Sequence, residues 1–350
     1  MDQEYKEFVM TQRLSFEERI KRKNEFDASL VYGTKEFNIL TQRDRHIEDR
    51  QNNDDYWLDS SSGFVREECT IHRKCPLCGS ESHELIFVKS GFKHVRCLDC
   101  TLVYVPRILN EKEYEKLYEE EDSWGAVLEN EHQKKLQSLE GAYSLDVASL
   151  YADKAQLNIC DIGCGPGRLL HIAKERGNCV LGIEPNKRYN QSLDELGIPH
   201  INDFFPLNLN THQSFDIIFT LNTLEHLPDP KGAIEDIYKI LKPEGLVYIS
   251  VPNIDALVTR VLKYKSGVFG GHSHIQFFNA ATLSQLVKEC GFEVLEYETI
   301  ITELGVLWND LNFQHPYLGD SKDNLGFLTP EMIYRNHLAR NVNLVARKVN

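Results

Sequence analysis

Long apolar runs, runs of Lys or Arg and an even complement of cysteines are what this sequence lacks. Nowhere do 18 uncharged apolar residues follow one another, which is the length a helix needs to cross a bilayer. The acidic start MDQEYKEF is followed by no apolar core of a secretory leader, so a cytoplasmic protein without membrane contact is the expectation. No five Lys or Arg stand in a row and the formal net charge is -14; such a field repels a polyanion, and nucleic acid is not an expected partner. Nine cysteines do not close into a disulfide framework, and four of them form two Cys-x-x-Cys pairs, which points to metal in a reducing compartment. Repeats and low-complexity segments are missing as well. What is there is ordinary globular material, 41% apolar and 26% charged over 350 residues, enough for two or three cored domains.

Residues 1 to 70 mix both signs of charge, as in SFEERIKRKNEF, and read as a mainly helical extension with Ser15 and Glu18 placed for a capping box; QNNDDYWLDSSSG at 51–63 reads as a linker. Asn110 and Glu113 form a second N-cap pair, opening a helix with Tyr114, Leu117 and Tyr118 on one face and acids on the other. Beyond residue 134, short apolar runs (NICDIG, NCVLGIE, FDIIFTLN, GLVYISVPN) alternate with amphipathic stretches such as RLLHIAKERG and AIEDIYKILKPEG. Runs of Ile, Val and Leu without polar alternation are buried parallel strands, so an α/β, doubly wound sheet covered on both faces is expected. FEVLEYETI and VNLVARK add two strands near the end. The aromatic segment between them, residues 307–327, reads as irregular and, being long, as a candidate lid or pocket wall.

CDIGCGPGRLL places Gly163, Gly165 and Gly167 directly after the first of these strands, where an open parallel sheet binds ligands. Glycines there permit positive φ and close backbone approach. A dinucleotide site wants G-x-G-x-x-G and a helix N-terminus facing a pyrophosphate; here the third glycine comes one residue early, and two carboxylates, Asp161 and Glu184, border the turn. A pyrophosphate does not ask for the first of these. A ligand with an ammonium group and a ribose asks for both, and S-adenosylmethionine is such a ligand.

D-I-G-C-G-P-G at 161–167, Glu184, EHLPDP at 225–230, LKPEG at 241–245 and GHSHIQFF at 271–278 together resemble the class I S-adenosylmethionine-dependent methyltransferases, small-molecule branch, over roughly residues 134 to 300. The resemblance implies a Rossmann-like sheet of seven strands. It implies that Asp161, Gly163, Cys164 and Gly165 line the methionine end, that Glu184 holds the ribose, that Asp203 and Phe204 face the adenine, and that Asn222 also belongs to the cofactor site. Cys164 has no adjacent histidine in sequence and reads as a small buried residue, not a nucleophile.

Methyl transfer is an in-line displacement, so the protein aligns an acceptor and removes its proton. Glu225 and His226 stand after the fourth strand, and a histidine titrates near neutrality; packing or loop hydrogen bonding is the alternative role for this pair. His274, and less readily His272, are further candidates for the base. The quinone-pathway O-methyltransferases that share Leu-Glu-His hold a divalent metal with a further glutamate three residues before the Glu; this chain has Asn222 there, which puts a catalytic metal in doubt although an amide oxygen can ligate a hard cation.

Eighteen residues lie between the pair Cys75 and Cys78 and the pair Cys97 and Cys100. Two such knuckles present four thiolates to one tetrahedral ion, so a closed, structural Zn2+ site is expected ahead of iron or free thiols, and its removal should unravel residues 75–100. A zinc ribbon before this kind of domain resembles the sugar C-methyltransferases and related polysaccharide and deoxysugar enzymes. The division expected is a helical extension (1–70), a zinc ribbon (71–108) and a methyltransferase domain (109–350). The acceptor expected is a small polar molecule, first a nucleotide-linked or glycan sugar, with O-methylation of a quinone-like or natural-product metabolite as the alternative. A non-catalytic scaffold or RNA-binding role is the third reading.

Overall fold

The computed structural model describes residues 14–29, 56–120, 131–206, 214–314 and 319–349. Of the charged N-terminal stretch, helix α1 (Phe16–Ser29) is described, and the Ser15 hydroxyl accepts from the N–H of Glu18 at 3.2 Å. The expected helix content at 1–13 and 30–55 lies outside the described residues. From 58 to 72 the chain is not helical in the α sense: it makes an isolated bridge between Leu58 and Val65, a single 3-10 turn and strand β1 (Thr70–His72).

The cysteine unit follows with β2 (His83–Lys89), β3 (Phe92–Cys97), β4 (Val103–Tyr104) and β5 (Arg107–Leu109). Helix α2 (Glu111–Glu120) starts where Asn110 Oδ1 accepts from the N–H of Glu113 at 3.0 Å. The reciprocal half of that cap is not made, because the Glu113 carboxylate accepts from Trp57 Nε1 at 3.1 Å instead. Helix α3 (Glu131–Ser149) leads into the sheet.

The sheet strands are β6 (Asn158–Ile162), β7 (Cys179–Ile183), β8 (His200–Ile201), β9 (Phe215–Leu221) and β10 (Leu241–Pro252), all parallel, with β13 (Asn341–Lys348) antiparallel between β10 and the edge strand β12 (Phe292–Ile300), which runs in the common direction. Their order is β12-β13-β10-β9-β6-β7-β8, a seven-stranded sheet. The two-residue strand β11 (Gln276–Phe277) lies outside this sheet and pairs with β4 of the cysteine unit.

Side chains alternate across the sheet as the pleat requires. Ile217, Phe219 and Tyr248 face one core with α3 and helix α4 (Arg168–Glu175), while Ile218, Val247 and Ile249 face the other with helices α6 (Pro230–Ile240) and α8 (Ala280–Glu289). Between them in sequence, α5 (Asn190–Glu195) packs Leu193 into the first core, and α7 (Leu257–Leu262) follows β10. Local chemistry sets the helix starts: Asp229 accepts from the N–H of Gly232 ahead of Pro230, and Asn279 and Thr282 close a full capping box. The second core also takes in Cys75, Leu77, Val95, Leu102 and Tyr104, so the cysteine unit is cored together with the sheet and is not a separate bead.

The segment expected to be irregular at 307–327 begins inside a helix, α9 (Leu304–Gln314). Leu304, Leu307 and Leu311 recur at helical spacing and pack with Ile333 and Tyr334; the short helices α10 (Ser321–Asn324) and α11 (Pro330–Arg335) follow.

Candidate active site

Strands β6, β7 and β8 build outward in one direction and β9 and β10 in the other, so the chain reverses between β6 and β9. At their carboxyl ends lies a cavity of about 1190 Å³, walled on the far side by Val88 to Ser90 of the β2–β3 hairpin and by residues 264–274. Reversal points of this kind are where parallel sheets bind ligands.

The glycine turn joins β6 to α4, and its three glycines have φ of 75°, 51° and 79°. Their tasks differ. A Cβ on Gly163 would stand 2.2 Å from Thr223 Oγ1, and one on Gly167 would stand 2.6 Å from Leu193 Cδ2, so these two let the turn press against protein. A Cβ on Gly165 would meet nothing within 4 Å, so only this glycine keeps open space for a ligand, a narrower assignment than the sequence suggested. Cys164 is buried with its Sγ against Gly182, as a small packing residue.

Glu184 follows β7 and is held by two backbone donors, the N–H of Gly165 at 2.8 Å and that of Asn186 at 2.9 Å. Burial still raises its pKa. Asp161 is 4% exposed, its Oδ1 is shielded from solvent with no hydrogen-bond partner, and its pKa is raised well above the ordinary value by burial first and by the Glu184 charge second. Two buried acids on one cavity favour a ligand that brings positive charge and hydroxyl donors. Gln137 Oε1 on α3 and Arg168 Nε at the start of α4 are likewise shielded and without a hydrogen-bond partner. An acceptor set for an ammonium and a guanidinium for a carboxylate match the two ends of an amino acid. The donor set therefore fits S-adenosylmethionine. Arg168 and Gln137 were not singled out in the sequence, although the arginine directly follows the glycine turn.

Phe204 lines the cavity beside Tyr114, ring centroids 5.9 Å apart, and the Tyr114 hydroxyl donates to the carbonyl of His226 at 3.0 Å. Asp203 is exposed at the rim, accepts from the N–H of Phe204 at 2.8 Å, and lies outside the cavity lining.

Glu225 is 1% exposed, both its oxygens are shielded without a hydrogen-bond partner, and burial pushes it up to about 8. His226 Nε2 lies 3.7 Å from Glu225 Oε1, and its ring stands 4.7 Å from the ring of His274 at 79°. His274 Nδ1 is 2.9 Å from the carbonyl of Val268; a carbonyl only accepts, so Nδ1 carries a proton, and in the neutral ring the lone pair is on Nε2. The ligand atoms of Glu225, His226 and His274 all lie within 4.8 Å of one another. His272, by contrast, stacks on Trp57 at 5.9 Å. Asn222 lines the cavity at φ 53°, and its Oδ1 accepts from Asn341 Nδ2 at 2.8 Å.

Cys75, Cys78, Cys97 and Cys100 bring their Sγ atoms within 4.8 Å of one another, with 3.5 Å between Cys75 and Cys100 and between Cys78 and Cys97. Four ligands about 2.3 Å from a zinc ion stand roughly 3.8 Å apart, so the thiols fit that ion. Each knuckle is closed by backbone bonds, Gly79 N–H to Cys75 carbonyl and Thr101 N–H to Cys97 carbonyl.

Residues 133–297 match the family model described as a methyltransferase domain. A ubiquinone biosynthesis O-methyltransferase of Saccharophagus degradans is 27% identical over 158 residues, 41% of this chain and 67% of the relative. One from Coxiella burnetii is 24% identical over 151 residues, 40% of this chain and 64% of the relative. The chain thus spans about two thirds of the length of these curated relatives. Among solved structures, a SAM-dependent methyltransferase of Thermotoga maritima, described as a possible histamine N-methyltransferase, aligns with a TM-score of 0.43 at 19% identity over 63% of this chain and 95% of that one. No helix among the described residues is long and apolar enough to cross a membrane.

Proposed function

We propose that this S-adenosylmethionine-dependent methyltransferase moves its methyl group to a hydroxyl of a small acceptor, with His226 as the base. The observation that carries the reading is that the partnerless Asp161 oxygen and the His226–His274 pair line one cavity. S-adenosylmethionine supplies an electrophilic methyl on a sulfonium. Asp161 and Gly165 hold the methionine end, Glu184 accepts from the ribose hydroxyls, and Phe204 stacks beside the adenine, whereas Gly163 and Cys164 pack the turn against protein and Asp203 stays outside the cavity lining. His226 takes the acceptor proton. His274, its Nδ1–H bound to Val268, turns Nε2 toward the same space and supports the imidazolium that forms. The carboxyl of Glu225, neutral below about pH 8, can donate to the acceptor or to His226.

The curated relatives act in ubiquinone biosynthesis by name, which favours a quinone-like acceptor over the nucleotide-linked or glycan sugar that the cysteine unit suggests. Phe269 and Tyr264 on the acceptor side suit an aromatic ring. A divalent cation is the second reading: with Asn222 turned to Asn341, His274 would complete the set begun by Glu225 and His226. The four cysteines would hold structural zinc.

The test is to incubate the protein with isotopically labelled cofactor and two panels, hydroxylated aromatic precursors and nucleotide sugars, with and without added Mg2+, and to look for one added methyl by mass. Transfer to the aromatic panel that His226→Ala reduces at least about 100-fold is expected. Transfer only to sugars would overturn the acceptor class, and full turnover in both His226→Ala and His274→Ala would overturn the base. Asp161→Asn should weaken S-adenosylhomocysteine binding by about 1.5–3 kcal/mol, roughly 10- to 150-fold by calorimetry.

A further inference from the structure

Arg73 stands two residues before the first knuckle cysteine, in a part of the molecule that the site description has not used. Its guanidinium donates from Nε to the carbonyl of Val105 at 3.0 Å, from Nη1 to the carbonyl of Pro228 at 3.1 Å and to Gln276 Oε1 at 2.9 Å, and from Nη2 to the carbonyl of Ile275 at 2.5 Å. Gln276 is 0% exposed, and its Nε2 donates to the carbonyls of Leu224 at 2.7 Å and Leu227 at 2.8 Å. Both amide hydrogens and the amide oxygen of that side chain have partners, and its orientation is unambiguous because only Oε1 can receive from arginine.

The carbonyls gripped are not scattered. Leu224, Leu227 and Pro228 bracket Glu225 and His226, and Ile275 adjoins His274. The N–H of Ile275 in turn donates to the carbonyl of Glu225 at 3.1 Å, and the N–H of Val105 donates to Ile275 at 2.9 Å. One arginine–glutamine unit thus joins three backbone segments that no helix or long strand holds: the loop after β9, the segment before β11, and the edge of the cysteine unit. A planar fork with fixed donor directions spans such a set, and an ammonium on a flexible stem does not.

We propose that Arg73 and Gln276 are positioning residues that set the mutual geometry of His226 and His274, so that the cysteine unit holds the active-site histidines through Arg73. The inference rests on the reading of those histidines as the base pair. It requires nothing of the cysteines beyond a folded knuckle beside Arg73.

The test uses the full chain labelled with 15N-histidine, with Arg73→Ala, Gln276→Met, His226→Ala and His274→Ala alongside the wild type. Long-range 1H–15N spectra report the histidine tautomers, calorimetry the S-adenosylhomocysteine affinity, and metal analysis the bound zinc. In the wild type His274 should show the Nδ1–H tautomer. In Arg73→Ala and in Gln276→Met that signal should average toward a tautomer mixture, while zinc content holds and the S-adenosylhomocysteine Kd moves less than about two-fold. Methylguanidine added to Arg73→Ala should restore the wild-type spectrum, which a merely structural defect would not allow. Turnover should fall with KM unchanged, by as much as about 100-fold for a displacement near 1 Å. Native histidine spectra in both variants would overturn the proposal, and so would loss of zinc or of cofactor binding in Arg73→Ala together with native spectra in Gln276→Met. Should His226→Ala and His274→Ala both turn over normally, the base reading fails by itself, and the spectra still decide whether Arg73 and Gln276 set the histidine geometry.

Discussion

Replacing Glu225 by glutamine should stabilise the protein, and by an amount that grows with pH. The carboxyl is enclosed at the end of β9, neither oxygen has a hydrogen-bond partner, and burial pushes it from near 4.5 up to about 8. At pH below about 4.5 the group is neutral in the folded and the unfolded chain, and the substitution should be nearly silent. Between about 4.5 and 8 the unfolded chain releases a proton that the folded protein keeps, so stability falls as pH rises. Above about 8 the folded state carries the full cost of a buried charge, about 5 kcal/mol at most. Glutamine has the same shape and no such slope. Urea unfolding of both proteins without cofactor, at intervals from about pH 4.5 to 8.5, should give curves that coincide at the acid end and diverge upward. Parallel curves would refute the reasoning: Glu225 would then be ionised in the folded state, with His226, 3.7 Å away, as its imidazolium partner.

Gly165→Ala should cost about 1–2 kcal/mol for a left-handed alanine and leave the protein folded, yet cut S-adenosylhomocysteine binding at least tenfold, because the added methyl enters open cavity; calorimetry with a melting curve separates the two effects. Gly163→Ala should instead lower the melting temperature, since its Cβ meets Thr223 Oγ1 at 2.2 Å, and Thr223→Ala in the same chain should recover part of the loss. Metal analysis should find one zinc per chain, and stripping it should lower the unfolding transition of the whole protein and not melt residues 75–100 alone, because Cys75, Leu77, Val95 and Leu102 share a core with Ile218 and Val247; hydrogen exchange reports which. Lys23→Met should destabilise by about 3 kcal/mol, since Lys23 Nζ lies 2.6 Å from Glu298 in a buried pair, and its effect combined with Glu298→Gln should be less than the two alone in a double-mutant cycle.

The sequence by itself carried the elements whose signal is local. NICDI and FDIIFTL are strands because residues rich in Ile, Phe and Thr suit a sheet covered on both faces. That Asp161 and Glu184 border one cavity was legible because both lie at the ends of such strands beside the glycine turn, and the clustering of the two cysteine pairs was legible because a knuckle is built within four residues. Helix α9 was missed: Leu304, Leu307 and Leu311 carry its periodicity, but the segment read as irregular began at Leu307 and cut that pattern.

Only the tertiary structure decided how these parts meet. That a Cβ on Gly163 would meet Thr223 while one on Gly165 would meet open space depends on where the loop after β9 comes to rest. That His274 lies across from His226 while His272 turns to Trp57 depends on β11 pairing with β4 in the sheet of the cysteine unit. The hydrogen bonds of Arg73, Gln276 and Asn341 run between residues far apart in the chain. Periodicity records which face of an element is apolar, whereas a buried polar group takes whichever partner the packed chain brings to it, and that choice has no period to read.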